Sequence, residues 1–164
     1  MFERNRGGTL HAESSMSRID QLEANLKEIL EHTPEVLANL GDGAGSIFVR
    51  REMTHGARNL GKSPYVEIEA EMLSRQSLCD DADEVRCRVA IRITEDIKTI
   101  ASNKGRNAAD AIITALYANE NFNMPVDVGA INDWALSFDT ENRKGDIRGT
   151  ITIDLRLVVP LGEA

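Results

Sequence analysis

The residues best suited to hold a metal in this 164-residue chain are three histidines and two cysteines. A zinc site needs such ligands grouped, at C-x-x-C spacing or at i, i+4 on a helix, because one short segment must aim two of them at one ion. His11, His32 and His55 fall instead in separate segments, and Cys79 and Cys87 form no C-x-x-C pair. Cys87 shares its alternation with Val85, Val89, Ile91 and Ile93. It therefore reads first as a small core residue, with a disulfide or a reactive thiol as the alternative.

Carboxylates offer a second kind of chemistry. Glu67, Glu69 and Glu71 stand on one face of a strand, where they could meet a divalent cation or act as an acid/base pair. A solvated or salt-bridged strand face accounts for them more simply. "DDADE" carries oxygen ligands but lacks the glycine and the distal glutamate of a calcium loop, so it reads as a turn. "LGDGAGS" is glycine-rich, yet it follows a helix and precedes a strand, the reverse of the order a phosphate cradle requires. No serine sits in a nucleophile elbow. The expectation is a non-enzymatic protein with no catalytic residue, no metal site and no cofactor.

The chain has 19 Lys plus Arg against 27 Asp plus Glu, a formal charge of −8, which disfavours general affinity for nucleic acid. With 41% hydrophobic and 28% charged residues it falls in the globular class. No apolar run approaches the roughly 20 residues of a membrane helix, and "MFERNRGGTLHAESSM" lacks the apolar core of a secretory signal. Cytoplasmic synthesis without membrane contact is expected. Residues 1–15 read as a flexible arm, and 16–164 as a single domain.

The elements follow from periodicity. Ser17 is an N-cap, and Ile19, Leu22, Leu26, Ile29 and Leu30 make the apolar stripe of a helix to about His32, with Asp20, Glu23, Lys27, Glu28 and Glu31 on the opposite face. Pro34 opens a short helix ended by Gly41. "SIFVRREM" reads as a strand and 54–64 as an exposed loop. From Tyr65 to Met72, Val66, Ile68, Ala70 and Met72 face inward. "CDDADE" turns the chain, and Val85–Ile93 returns antiparallel with Arg86, Arg88 and Arg92 facing the three glutamates. Asn107–Asn119 forms a helix on Ala108, Ile112, Ala115 and Leu116, after a solvated "DIKTIASNKGR". Trp134, Leu136 and Phe138 alternate before a polar turn at 140–146. A strand over 147–159 then spans roughly 43 Å, with Gly149 as an expected bulge or bend. Its length exceeds what the Trp134–Phe138 strand can pair, so the excess should meet Val85–Ile93 or another subunit. The fold class is α+β: a mostly antiparallel sheet, helices packed on one side, and a long C-terminal β-hairpin.

Arg50, Arg51, Arg58 and Lys62 make one segment basic in an acidic chain. That serves solubility, or it reaches an acidic neighbour, either another copy or a different protein. Arg148 and Arg156, on the outward parity of the last strand, are candidate interface positions of the same kind.

Element order and pattern over Met16 to Val159 resemble the tail terminator (tail completion) proteins of long-tailed bacteriophages and of related prophage or gene-transfer particles. The resemblance is carried by "MSRIDQLEANLKEIL", "PYVEIEAEM", "EVRCRVAIRITED", "NAADAIITALYAN" and "DIRGTITIDLRLVV". It implies a homohexameric ring at the head-proximal end of the tail tube. Such a ring ends tube polymerisation, joins the tube protein to the head-tail connector, continues its sheets between subunits, and passes DNA through a channel without specific binding. Glu67, Glu69 and Glu71 would then be candidates for an acidic lumen. The 16-residue leader and the second short helix depart from the minimal pattern and leave a head-tail joining or neck protein as the alternative. From another class stands a small non-enzymatic α+β adaptor or chaperone domain using helix 19–32.

Overall fold

Ser17 starts the first helix as its spacing predicts: its Oγ accepts the Asp20 N–H at 3.0 Å and α1 runs over Arg18–Glu31. The structure is a computed structural model describing residues 17–50, 63–96, 103–119, 122–124, 133–141 and 146–160, with backbone alone over 133–141 and 146–148. Pro34 occupies the first turn of α2, Pro34–Leu37, which stops before Gly41. Asn39 Nδ2 donates to the Glu35 carbonyl at 2.8 Å and so satisfies an orphan acceptor at that end. Gly41 has a different task, donating its N–H to the Pro64 carbonyl at 2.9 Å. A 3₁₀ turn over Gly43–Ser46 then leads into β1, Ile47–Val49. Of the exposed loop expected at 54–64 only Ser63 and Pro64 are described, and Pro64 is buried.

Five described strands form one sheet in the order β1-β2-β3-β5-β4. β2 is Tyr65–Cys79, β3 Ala82–Asp96, β4 Asp133–Glu141 and β5 Asp146–Pro160. β1 runs parallel to β2, with Ile47 opposite Val66 and Val49 opposite Ile68, and every other pair is antiparallel. This is the expected α+β arrangement closed by a C-terminal hairpin. Only Asp80 and Asp81 turn the first hairpin; Cys79, Ala82, Asp83 and Glu84, expected in the turn, belong to strands.

The long strand at the C-terminus is straight in register. β5 pairs with β3 from Asp146 opposite Asp96 to Pro160 opposite Ala82, and Gly149 sits opposite Ile93 on one side and Phe138 on the other with no register shift. The bulge expected at Gly149 is absent because ladders on both edges hold that position in step. The excess length of β5 is taken up inside the chain by β3.

One face of the sheet is apolar and covered. Val66 and Ile68 of β2, Val85 to Ile93 at odd positions of β3, and Ile151 to Val159 at odd positions of β5 share a core with Leu22, Leu26, Ile29 and Leu30 of α1 and with Ile112 and Leu116 of α3. Asn25 Nδ2 donates to the Phe122 and Asn123 carbonyls at 2.9 and 3.0 Å, fixing a turn in which both residues have positive φ and Phe122 is fully buried. Glu23 departs from the expected polar face. It is 2% exposed, and its Oε2 accepts the Ala70 N–H at 2.9 Å, so α1 caps the edge of β2 just beyond the reach of β1.

α3 runs over Lys104–Ala118, three residues earlier than its alanine stripe announces, and the segment expected to be solvated includes its first turn. Gly105 permits this start. A Cβ there would stand 2.7 Å from Glu95 Oε1 and 3.3 Å from Glu95 Cβ, and Glu95 is only 5% exposed. Gly-to-Ala changes inside helices ordinarily stabilise by about 0.5–1 kcal/mol. At Gly105 the sign should reverse: Gly105→Ala is expected to lower the melting temperature, read by circular dichroism. Ile153→Asp or Leu155→Asp, each an unpaired charge at a site no more than 1% exposed, should unfold the subunit outright.

Candidate functional site

The outward face of the sheet carries the charged residues that the sequence singles out, and the strand registers decide which of them meet. Arg92 sits opposite Glu67 but reaches diagonally to Glu69, Nη1 to Oε1 at 2.7 Å, while Glu67 accepts from Arg50 Nη1 at 3.3 Å. Glu71 stands opposite Arg88, whose guanidinium grips Asp154 across the other ladder, Nε to Oδ1 at 2.7 Å and Nη2 to Oδ2 at 3.4 Å. The hydrogen bond and charge of Asp154, with a smaller contribution from Glu71, raise the Arg88 pKa. Arg156 pairs with Glu84 at 3.2 Å.

Arg50, Arg88, Arg92 and Arg156 thus alternate with Glu67, Glu69, Glu84 and Asp154 in a lattice of ion pairs, with Glu71 opposite Arg88. For Glu67 and Glu69 the strand face is salt-bridged. Arg50 and Arg156 already hold partners within the chain. Arg148 lies opposite Thr94 and Asp139 on the backbone, and its side chain is outside the described residues. Arg51, Arg58 and Lys62 fall outside them altogether.

The lattice is exposed, so its pairs set register more than stability. A double-mutant cycle on Arg88 and Asp154 should give a weak coupling that shrinks in high salt. A coupling indifferent to salt would mean that the pair is shielded from water.

Beyond Glu69 the sheet changes character. β1 pairs with β2 only at 66–68 and β4 with β5 only at 146–154, so the far end of the sheet is three strands wide among the described residues. There every residue from Glu71 to Asp81 is exposed, including Met72 at 52%, Leu73 at 47% and Leu78 at 53%. Met72 was expected to face inward. It does stand opposite buried Cys87, but it lies on the edge strand where the helical layer no longer covers it.

The β2–β3 register shifts between Met72 and Ser74 and again between Ser77 and Cys79. Leu73 and Leu78 are therefore the two extra residues of β-bulges. The first bulge moves Arg75 onto the parity of Val85, where its Nε bonds Asp83 at 2.6 Å, while Gln76 Nε2 donates to Glu84 at 3.0 Å on the other face.

The helical layer carries an open groove of about 490 Å³ where the start of α2 approaches α3, lined by Pro34, Ala111, Thr114, Ala115 and Ala118, with His32, Glu35 and Asp110 also bordering it. Neither it nor the bulged leucines was anticipated. The sequence signal for the leucines was the break in alternation at "MLSR" and again at "SLC". The groove depends on helix packing and has no signature in sequence.

Burial, with a lesser push from Asp154, raises the Cys87 thiol from 9.0 to about 12, whereas Cys79 is exposed, and both are free. Because the folded value is raised, the stability Cys87 contributes is complete below the unfolded thiol pKa and is lost as pH climbs from about 9 towards 12. In native protein at neutral pH, a chromogenic disulfide reagent should titrate one thiol quickly, and the second only after unfolding. Two fast thiols would place Cys87 at the surface. Among the described residues no group of His, Cys, Asp and Glu could hold a metal ion, and no helix is long and apolar enough to cross a membrane.

No family model and no curated protein matches this chain. Among solved structures, the virion of a native gene transfer agent (GTA) particle contains a chain that is similar at a TM-score of 0.55 and 14% identity, over 84% of this chain and 93% of that one. At that identity the two chains share a fold, and the likeness extends over nearly the whole of the virion chain.

Proposed function

We propose that this chain is a structural component of a phage-like virion, a subunit of the tail-terminator type. One observation carries the reading: the α+β fold, with its long C-terminal hairpin, matches nearly the full length of a chain from a GTA virion. In this reading the subunits close into a ring, six by the resemblance, at the head-proximal end of the tail tube. The ring stops addition of tube subunits and presents a surface to the head-tail connector. The fit is with a protein whose work is geometric, not catalytic.

The charged face suits a ring with a DNA channel. Among the described residues Arg50, Arg88, Arg92 and Arg156 pair with Glu67, Asp154, Glu69 and Glu84, and Arg86 and Glu71 add one charge of each sign, so the face has no net basic surplus to track phosphates. DNA could pass such a wall without adhering. Arg50, Arg51, Arg58, Lys62, Arg148 and Arg156 are kept as candidate contacts to a neighbouring subunit or partner, with Arg50 and Arg156 exchanging their present carboxylates in that case.

A closed ring has one stoichiometry, because a heterologous interface closes at one rotation only. Multi-angle light scattering on the purified chain, alone and with a tail tube protein, should give a single oligomer mass. A monomer at every concentration under both conditions contradicts the proposal.

A further inference from the structure

The distal half of β2 and the groove between α2 and α3 are the two places on the described surface where large apolar groups meet water. Met72, Leu73 and Leu78 are on the first. Tyr117, 55% exposed, stands one helical turn from Thr114 at the border of the second. The geometry points to these two surfaces as halves of one contact: Leu73 and Leu78 of one copy seat in the groove lined by Pro34, Ala111, Ala115 and Ala118 of the next.

The edge is built for side-chain insertion and against strand pairing. A bulge leaves its extra residue out of the ladder, bends the strand and re-aims the side chain, and both extra residues here are leucines. Pairing two β2 edges antiparallel about Arg75 would set Arg75 against its own copy and Asp81 of each copy against Glu69 of the other, and like charges in register repel.

The groove supplies what the leucines lack. Its small side chains leave room for a branched one between the helices. Its border residues Glu35 and Asp110 would meet Arg75, which lies between the two leucines in sequence and would offer its Nη groups while its Nε stays on Asp83. An apolar projection that fits a recess elsewhere on the same molecule makes a head-to-tail contact, which closes into a ring when the rotation allows. The inference rests on the ring reading for its assumption that the chain self-associates, and it adds the surfaces.

The test uses two variants of the full chain. Leu73→Asp with Leu78→Asp spoils the projection, and Ala118→Trp fills the groove at an exposed position, so neither alters the core. Circular dichroism melts establish folding, and Leu73→Ala with Leu78→Ala replaces the first variant if it fails to fold. Sedimentation velocity should show each variant as a monomer, with association weakened by at least about tenfold per leucine. An equal mixture of the two should form a heterodimer, since each retains the half that the other lacks.

Assembly of Ala118→Trp like the wild type, or a mixture that stays monomeric, overturns this contact while leaving a ring built on other surfaces. A wild-type chain that never associates overturns both.

Discussion

β3 is paired on both edges, with β2 from Ala82 to Thr94 and with β5 from Ala82 to Asp96, and the rest of the molecule is arranged around that double ladder. Its odd residues, Val85 to Ile93, lie at the centre of the core, and its even residues carry Arg88 and Arg92 into the ion-pair lattice. A one-residue slip would turn the apolar row to water and the arginines to the core. The core burial and the charge lattice therefore specify the same register from opposite faces of the sheet. This agreement keeps β3 in step with β5 along all fifteen of its residues, and with β2 as far as Met72, where the bulges begin.

The same constraint locates where the sheet is left unfinished. β1 is three residues long and β4 nine, against fifteen for each of the three strands they flank, so the sheet narrows towards the first hairpin turn. Glu23 marks the transition on β2. Its buried carboxylate takes the Ala70 N–H where β1 has ended, and beyond it every residue up to the turn is exposed. A helix-borne cap over part of an edge, followed by two bulges, blunts ladder extension while holding apolar side chains in solvent. Under the proposed virion role, such an edge offers specific contacts without uncontrolled strand addition.

Much of this was legible wherever a single period ruled. Alternation in "EVRCRVAIRIT" and "GTITIDLRLVV" exposed β3 and β5, and the 3–4 spacing of Leu22, Leu26, Ile29 and Leu30 exposed α1. The misses fell where a second constraint overrode the period. β2 was expected to end at Met72 because bulges at Leu73 and Leu78 scramble its parity. Glu23 has the sequence look of a surface residue, and the approach of the β2 edge to α1 gives its buried carboxylate the Ala70 N–H as a partner. α3 begins before its alanine stripe, where a glycine weakens the helix signal, whereas Gly105 is there for the close approach of Glu95. Gly149, the one glycine expected to bend a strand, does not, since two neighbours hold it.

The central claim is that copies of this chain meet through the distal half of β2. Amide hydrogen exchange read by mass spectrometry, comparing the assembled chain with the same chain diluted to monomer, addresses it most directly. β3 amides should be protected in both states, and residues 71–79 should gain protection on assembly together with the α2–α3 groove. Protection gained instead across the charged face, with 71–79 unchanged, would contradict the account.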